Sequence, residues 1–182
     1  MRYVPFRRAT TSVALTGLLD SMGMSSVAAA FPIDHRQSPA ALAIARGATR
    51  LLHAFGYSVV SELPLASGRR ADLVALGTDG EIWIVEIKSS MADLRADHKW
   101  MDYRPHCDRL FFASGADVPS TKFPPDAGLI VADAFGGSIL REAPEHRLNA
   151  ATRKRMMLAF ARAAALRLSA LCDPQRSHEA EL

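Results

Sequence analysis

The stretch from Arg69 to Ser90, RRADLVALGTDGEIWIVEIKSS, places Asp72, Glu86 and Lys88 inside two runs that otherwise read as buried strands. An unpaired charge in such a place is costly, so it persists when it is paired, bound to metal or put to chemical use. Side chains alternate across a strand, so Glu86 and Lys88, two residues apart, share a face. The intervening GTDG, residues 77–80, is a tight-turn signal. A turn centred on Asp79 sets Asp72 opposite Glu86, and a register shifted by one residue leaves the pair diagonal and still within reach. Two adjacent carboxylates repel, and their natural neutraliser is a hard divalent cation with oxygen ligands, Mg²⁺ or Mn²⁺. Lys88 beside them can orient or help deprotonate a water, or offset charge on a phosphate. The predicted chemistry is metal-assisted phosphodiester hydrolysis, with Asp72, Glu86 and Lys88 as the catalytic set. A plainer reading of the same residues is an internal ion pair of Lys88 with Asp72 or Glu86 at a strand end facing solvent.

These three residues need a sheet to hold them, and the flanking pattern supplies one. Ser38 and Pro39 read as an N-cap and first helical residue, and apolar positions at 3–4 spacing carry a helix to Gly56. YSVVSELPL reads as a strand kept toward an edge by Pro64. After the hairpin, MADLRADHKWMDYRPH reads as one helix capped by Ser89 or Ser90. RLFFAS and AGLIVAD are continuously apolar strands, as in a sheet covered on both faces. NAATRKRMMLAFARAAALRLSALC closes the chain as a long helix. The predicted order, α-β-β-β-α-β-β-α, is an α/β domain with a mixed central sheet flanked by helices.

Composition narrows the class. At 182 residues, 49% hydrophobic and 23% charged, the chain is expected to form one domain over 37–172 with a polar tail at 173–182. A net charge of +3 is compatible with a polyanionic partner and does not demand one. Cys107 and Cys172 lack CxxC or zinc-ligand spacing, also with respect to His98 and His106, which fits a reducing cytoplasm. No apolar run approaches the ~20 residues of a membrane helix. Residues 1–36 have a basic start and an apolar stretch like an export signal, but Asp20 interrupts it. That leader is read as an extended, poorly ordered start rather than a signal.

The order helix, edge strand, hairpin with D and ExK, helix, strand is that of the PD-(D/E)XK nuclease core. More closely, Glu62 to Arg147 resembles the MmcB family of bacterial DNA-repair proteins, a branch of that superfamily. The carrying segments are ELPLASGRRADLVAL, GEIWIVEIKSSMADLRADHKWMDYRPHCDRLFFA and AGLIVADAFGGSILREAPEHRL. The resemblance implies a restriction-endonuclease-like fold, DNA as a partner and a role in repair. By position it makes Asp72 and Glu86 the metal carboxylates, Lys88 the active-site lysine, and Ile87 the donor of a backbone carbonyl to the metal. The superfamily's Pro before the Asp is Ala71 here. Some superfamily members carry an additional acid upstream, and Glu62 is the candidate; it either joins the metal or pairs with Arg69 or Arg70.

Lys99 and Tyr103, at i and i+4 on the predicted helix, could face the cleft, Lys99 holding a phosphate and Trp100 or Tyr103 stacking on a base. Trp100 is otherwise core. Arg69 or Arg70 could meet a bound phosphate, or both are solvated. Arg153, Lys154 and Arg155 open the last helix as a basic patch that grips phosphates or simply faces water. Besides a nuclease acting on DNA, two functions fit the same residues: a catalytically silent DNA-binding adaptor that recruits repair partners, and an RNA-directed nuclease.

Overall fold

Ser38 caps as its position predicts: its hydroxyl accepts the Ala41 N–H at 3.1 Å, and Pro39 opens helix α1, Pro39–Ala54. In this computed structural model, which describes residues 38–97 and 99–173, α1 ends as Gly56 takes a left-handed conformation (φ 84°) that turns the chain into the sheet. The leader, His98 and nearly all of the polar tail lie outside the described residues.

Six strands follow: β1 Ser58–Pro64, β2 Arg70–Leu76, β3 Ile82–Lys88, β4 Arg109–Ser114, β5 Gly128–Ala132 and β6 Gly137–Arg141. They form one sheet in sequential order. The pairs β1–β2, β2–β3 and β5–β6 are antiparallel, while β3–β4 and β4–β5 are parallel. All seven residues of β3 are buried, as expected for a central strand covered on both faces. On one face α1 packs over Leu73, Val85, Phe111 and Ile130. On the other, the long helix α3, Ala150–Cys172, contributes Met156 and Phe160 over Val60, Val74, Ile84 and Leu110. The expected mixed α/β class with flanking helices is what the structure has.

Two elements differ from expectation. The single helix predicted over residues 91–106 is α2, Met91–Ala96, followed by a 3-10 helix, Trp100–His106. The break is at Asp97, whose backbone is extended and whose carboxylate accepts the Lys99 N–H at 3.0 Å. An Asp that bonds nearby backbone offers the chain an alternative to helix propagation. Strand β6 is the second difference, since no strand was expected between Asp133 and the last helix. Its five residues are half-exposed at the sheet edge, too short to signal by themselves. They form through a turn in which Asp133 Oδ1 accepts the N–H groups of Phe135 and Gly136.

Candidate functional site

The β2–β3 ladder runs from Leu76–Ile82 to Leu73–Val85 and stops there. One rung further, in the same register, Asp72 faces Glu86, and side chains replace the ladder. Asp72 Oδ2 accepts the Ile87 N–H at 2.7 Å, and the Asp72 N–H lies 3.3 Å from Glu86 Oε1. Meanwhile β3 continues beside β4 as far as Lys88–Ser114. The two strands of the hairpin therefore part at Asp72, and the gap between them is lined by carboxylate oxygen. In an extended strand a residue's N–H and C=O project to the same side. The Ile87 carbonyl is thus aimed at the same gap.

Glu86 (3% exposed) and Lys88 (7% exposed) point to the face covered by α2, the 3-10 helix and α3. Burial raises the carboxyl pKa of Asp72 to about 6, with Glu62 and Asp93 adding to it against the opposing pull of the Ile87 N–H and Lys88. Glu86 is raised well above its ordinary value, first by burial and then by the Asp72 charge. Two facing carboxylates that both hold protons more tightly than usual are short of positive charge.

Lys88 does not supply that charge through a direct bond. Its ammonium pairs with Asp97 at 2.8 Å, both side chains nearly buried. Burial pulls its pKa down, but the Asp97 bond and the nearby Glu86 and Asp93 outweigh this and raise it. Lys88 is accordingly a fixed cation and a donor. The plain alternative of a Lys88 bond to Asp72 or Glu86 is replaced by a partner from the helix break. On β4, the buried hydroxyl of Ser114, register partner of Lys88, has no hydrogen-bond partner among the described residues.

The donor set suits a hard cation of the kind that keeps several waters. Asp72 and Glu86 would give such a cation, Mg²⁺ or Mn²⁺, two carboxylates and Ile87 a carbonyl, leaving room for substrate oxygen and water. Among the described residues no group of three or more His, Cys, Asp or Glu is arranged to hold a metal by side chains alone. Glu62 sits near Asp72, between the Ser61–Leu73 and Leu63–Ala71 pairs, with a left-handed backbone (φ 51°). Its carboxylate is held by Arg70, the pairing that competed with metal binding in the sequence.

The other sequence candidates separate. Lys99 is exposed, but it precedes the 3-10 helix, so it and Tyr103 do not share an α-helical face as expected. Tyr103 lies beside Glu86, its hydroxyl donating to the Arg70 carbonyl at 3.4 Å, and burial together with the Glu86 and Asp72 charges keeps its phenol protonated. Arg69 pairs with Asp102 at 2.8 Å. Arg153 is drawn into the body, where its guanidinium grips the buried Asp108 at 2.7 and 2.8 Å, whereas Lys154 and Arg155 are exposed. Ser90 caps α2 and Asp93 returns a bond to the Ser89 N–H, so these serines act as helix caps. His98 lies outside the described residues; burial and Arg155 lower the pKa of His106.

Sequence reasoning missed Asp97 and the placement of Tyr103 beside Glu86. Asp97 had a local signal, since Asp two residues before a backbone donor favours leaving a helix. Tyr103 had none, because its approach to Glu86 depends on how the 3-10 helix is laid across β3.

A family model described as DNA repair protein MmcB-like matches residues 29–175. Among solved structures, a protein of unknown function from Silicibacter pomeroyi is 44% identical, with a TM-score of 0.74 over 76% of this chain and 95% of that one. No curated protein sequence matches. Among the described residues no helix is long and apolar enough to cross a membrane.

Proposed function

Because the chain belongs to the MmcB-like DNA repair protein family, we propose that it hydrolyses DNA phosphodiesters at a PD-(D/E)XK-type site built on Asp72, Glu86 and Lys88. The observation that carries this reading is the parting of β2 from β3 at Asp72. There two desolvated carboxylates and the Ile87 carbonyl face one gap, with a lysine on the same strand face. A bound Mg²⁺ or Mn²⁺ would supply Lewis-acid polarisation of the phosphate and acidify water at that point. The carboxylates of Asp72 and Glu86 would hold the cation, in their deprotonated form. Tyr103 flanks Glu86 with a neutral phenol, tied to β2 through the Arg70 carbonyl. Lys88, held protonated by Asp97, donates to a phosphate oxygen on which charge grows. Water oxygen bonds to phosphorus, the bond to the leaving deoxyribose oxygen breaks, and a proton from that water passes to the leaving oxygen through solvent. Glu62, engaged with Arg70, braces the site from β1. DNA outside the gap meets Lys99, Lys154 and Arg155, whose contacts position the phosphate backbone without reading bases.

Cleavage of end-labelled single-stranded, flapped and duplex DNA with Mg²⁺, Mn²⁺ or EDTA tests the reading. Metal-dependent products that vanish in Lys88→Ala and Asp72→Asn support it; the same products from those variants would refute it.

One observation favours a second reading. The Lys88–Asp97 bond occupies the lysine that hydrolysis needs, which suits a DNA-binding adaptor that keeps the fold and has lost turnover. Absence of cation binding at millimolar concentration, with DNA binding retained, would select the adaptor. An RNA-directed nuclease would use the same residues, and an RNA substrate in the cleavage series separates it.

A further inference from the structure

Beside the site lies a cleft of about 210 Å³ that the proposed chemistry does not use. Its apolar walls are Met91, Leu94, Trp100 and Pro124, and Arg95 and Lys122 stand at its rim. Asp97 also lines it, the same carboxylate that holds Lys88, so cleft and site share a wall. The floor is rigid: Trp100 packs edge-on against the fully buried Phe112 at 5.9 Å, and Phe112 in turn meets Phe123 at 5.6 Å. Phe112 is the register partner of Glu86, so the floor beneath Trp100 rests on the strand next to the motif carboxylate. Among the described residues neither Arg95 nor Lys122 has a carboxylate partner, although both are exposed beside an apolar hollow.

We infer that this cleft receives one unpaired nucleobase of the DNA strand whose phosphate lies at Lys88, so that the bound strand is single at that point. The inference rests on the reading of the site as a DNA site. The size decides the class of ligand. The hollow is smaller than the ~300–1,000 Å³ of pockets for drug-sized molecules, and it suits one planar ring system. Apart from Asp97, which is committed to Lys88, its walls of Met91, Leu94, Trp100 and Pro124 offer burial and a ring face more than a hydrogen-bonding pattern, so it takes a base by stacking, without sequence readout. Arg95 and Lys122 then meet the phosphates on either side of that base. A base held in a duplex stack cannot enter, so duplex DNA must be frayed, flapped or flipped at this nucleotide.

The test is binding of the full chain to dye-labelled oligo-dT and to an abasic sugar–phosphate chain of the same length, in EDTA, by fluorescence anisotropy. The parent protein is expected to prefer oligo-dT by about tenfold, and Trp100→Leu to erase the preference. Arg95→Ala and Lys122→Ala, at exposed positions that do not threaten folding, should each weaken both chains severalfold, more steeply at low salt. Equal binding of the two chains by the parent overturns the assignment, as does an intact preference in folded Trp100→Leu. Competition by dTMP at the oligonucleotide's own concentration would assign the cleft to free nucleotides instead and also overturns it. Cleavage in Mg²⁺ is scored separately. Base preference without cleavage sinks the hydrolytic reading alone, and cleavage without base preference sinks the base cleft alone.

Discussion

Asp72→Asn is expected to make the metal-free protein more stable at neutral pH. The carboxyl pKa of Asp72 rises from 3.8 to about 6 on folding, chiefly through burial. A folded state that binds the proton more tightly than the unfolded chain loses stability as pH climbs between those two values, and the loss persists above them. At ~1.4 kcal/mol per pKa unit, roughly 3 kcal/mol is set against folding by the ionised group at neutral pH. Asparagine keeps an oxygen for the Ile87 N–H, removes the charge, and offers its amide to Glu86, whose own raised pKa should relax. For a chain of this length, 1 kcal/mol moves Tm by about 2–4 °C, so a gain of several degrees is expected at pH 7.5 and almost none near pH 4. Cation reverses the order. Free Mn²⁺ at tenfold its Kd stabilises the parent by about 1.4 kcal/mol and should leave the variant unmoved. Thermal melts of both proteins across that pH span, with and without Mn²⁺, read all of this directly. Should the variant melt below the parent at neutral pH without metal, or gain as much from Mn²⁺, the picture of an undercompensated carboxylate pair fails.

Four further outcomes follow from the same geometry. Asp97→Asn leaves the nearly buried Lys88 without its counter-charge and should cost about 3–5 kcal/mol; the double variant with Lys88→Met should recover most of it, as a double-mutant cycle by urea unfolding would show. Asp108→Ala removes the acceptor for the Ile82 and Leu148 N–H groups and for Arg153, so Tm should fall steeply while DNA affinity of the folded fraction holds. Lys154→Ala with Arg155→Ala should do the reverse, lowering DNA affinity and flattening its salt dependence at unchanged Tm. Gly47→Ala would set a methyl carbon 2.0 Å from the Asp133 carbonyl oxygen, so a loss of at least ~1–3 kcal/mol is expected by chemical denaturation.

The sequence by itself determined what depends on short-range geometry. A period of two along IWIVEIK put Glu86 and Lys88 on one face, and the turn before Ile82 brought Asp72 either opposite Glu86 or diagonal to it; the structure has the facing register. Caps at Ser38 and at Ser89 or Ser90 marked two helix starts, because a capping hydroxyl satisfies a backbone donor within three residues of itself, as Ser38 and Ser90 do. Tertiary structure alone decided which charge each ionised group meets. Lys88 had Asp72 and Glu86 as neighbours in the pattern, yet it meets Asp97, because the helix breaks there and lays its carboxylate over β3. Arg153 belonged to a basic run, yet it is held by Asp108, 45 residues away, because α3 packs across the mouth of β4. Long charged side chains reach many partners at similar energy, so no local rule ranks those partners. Only the packing of the elements that carry them selects one, and it is the same packing that leaves two carboxylates facing a gap between β2 and β3.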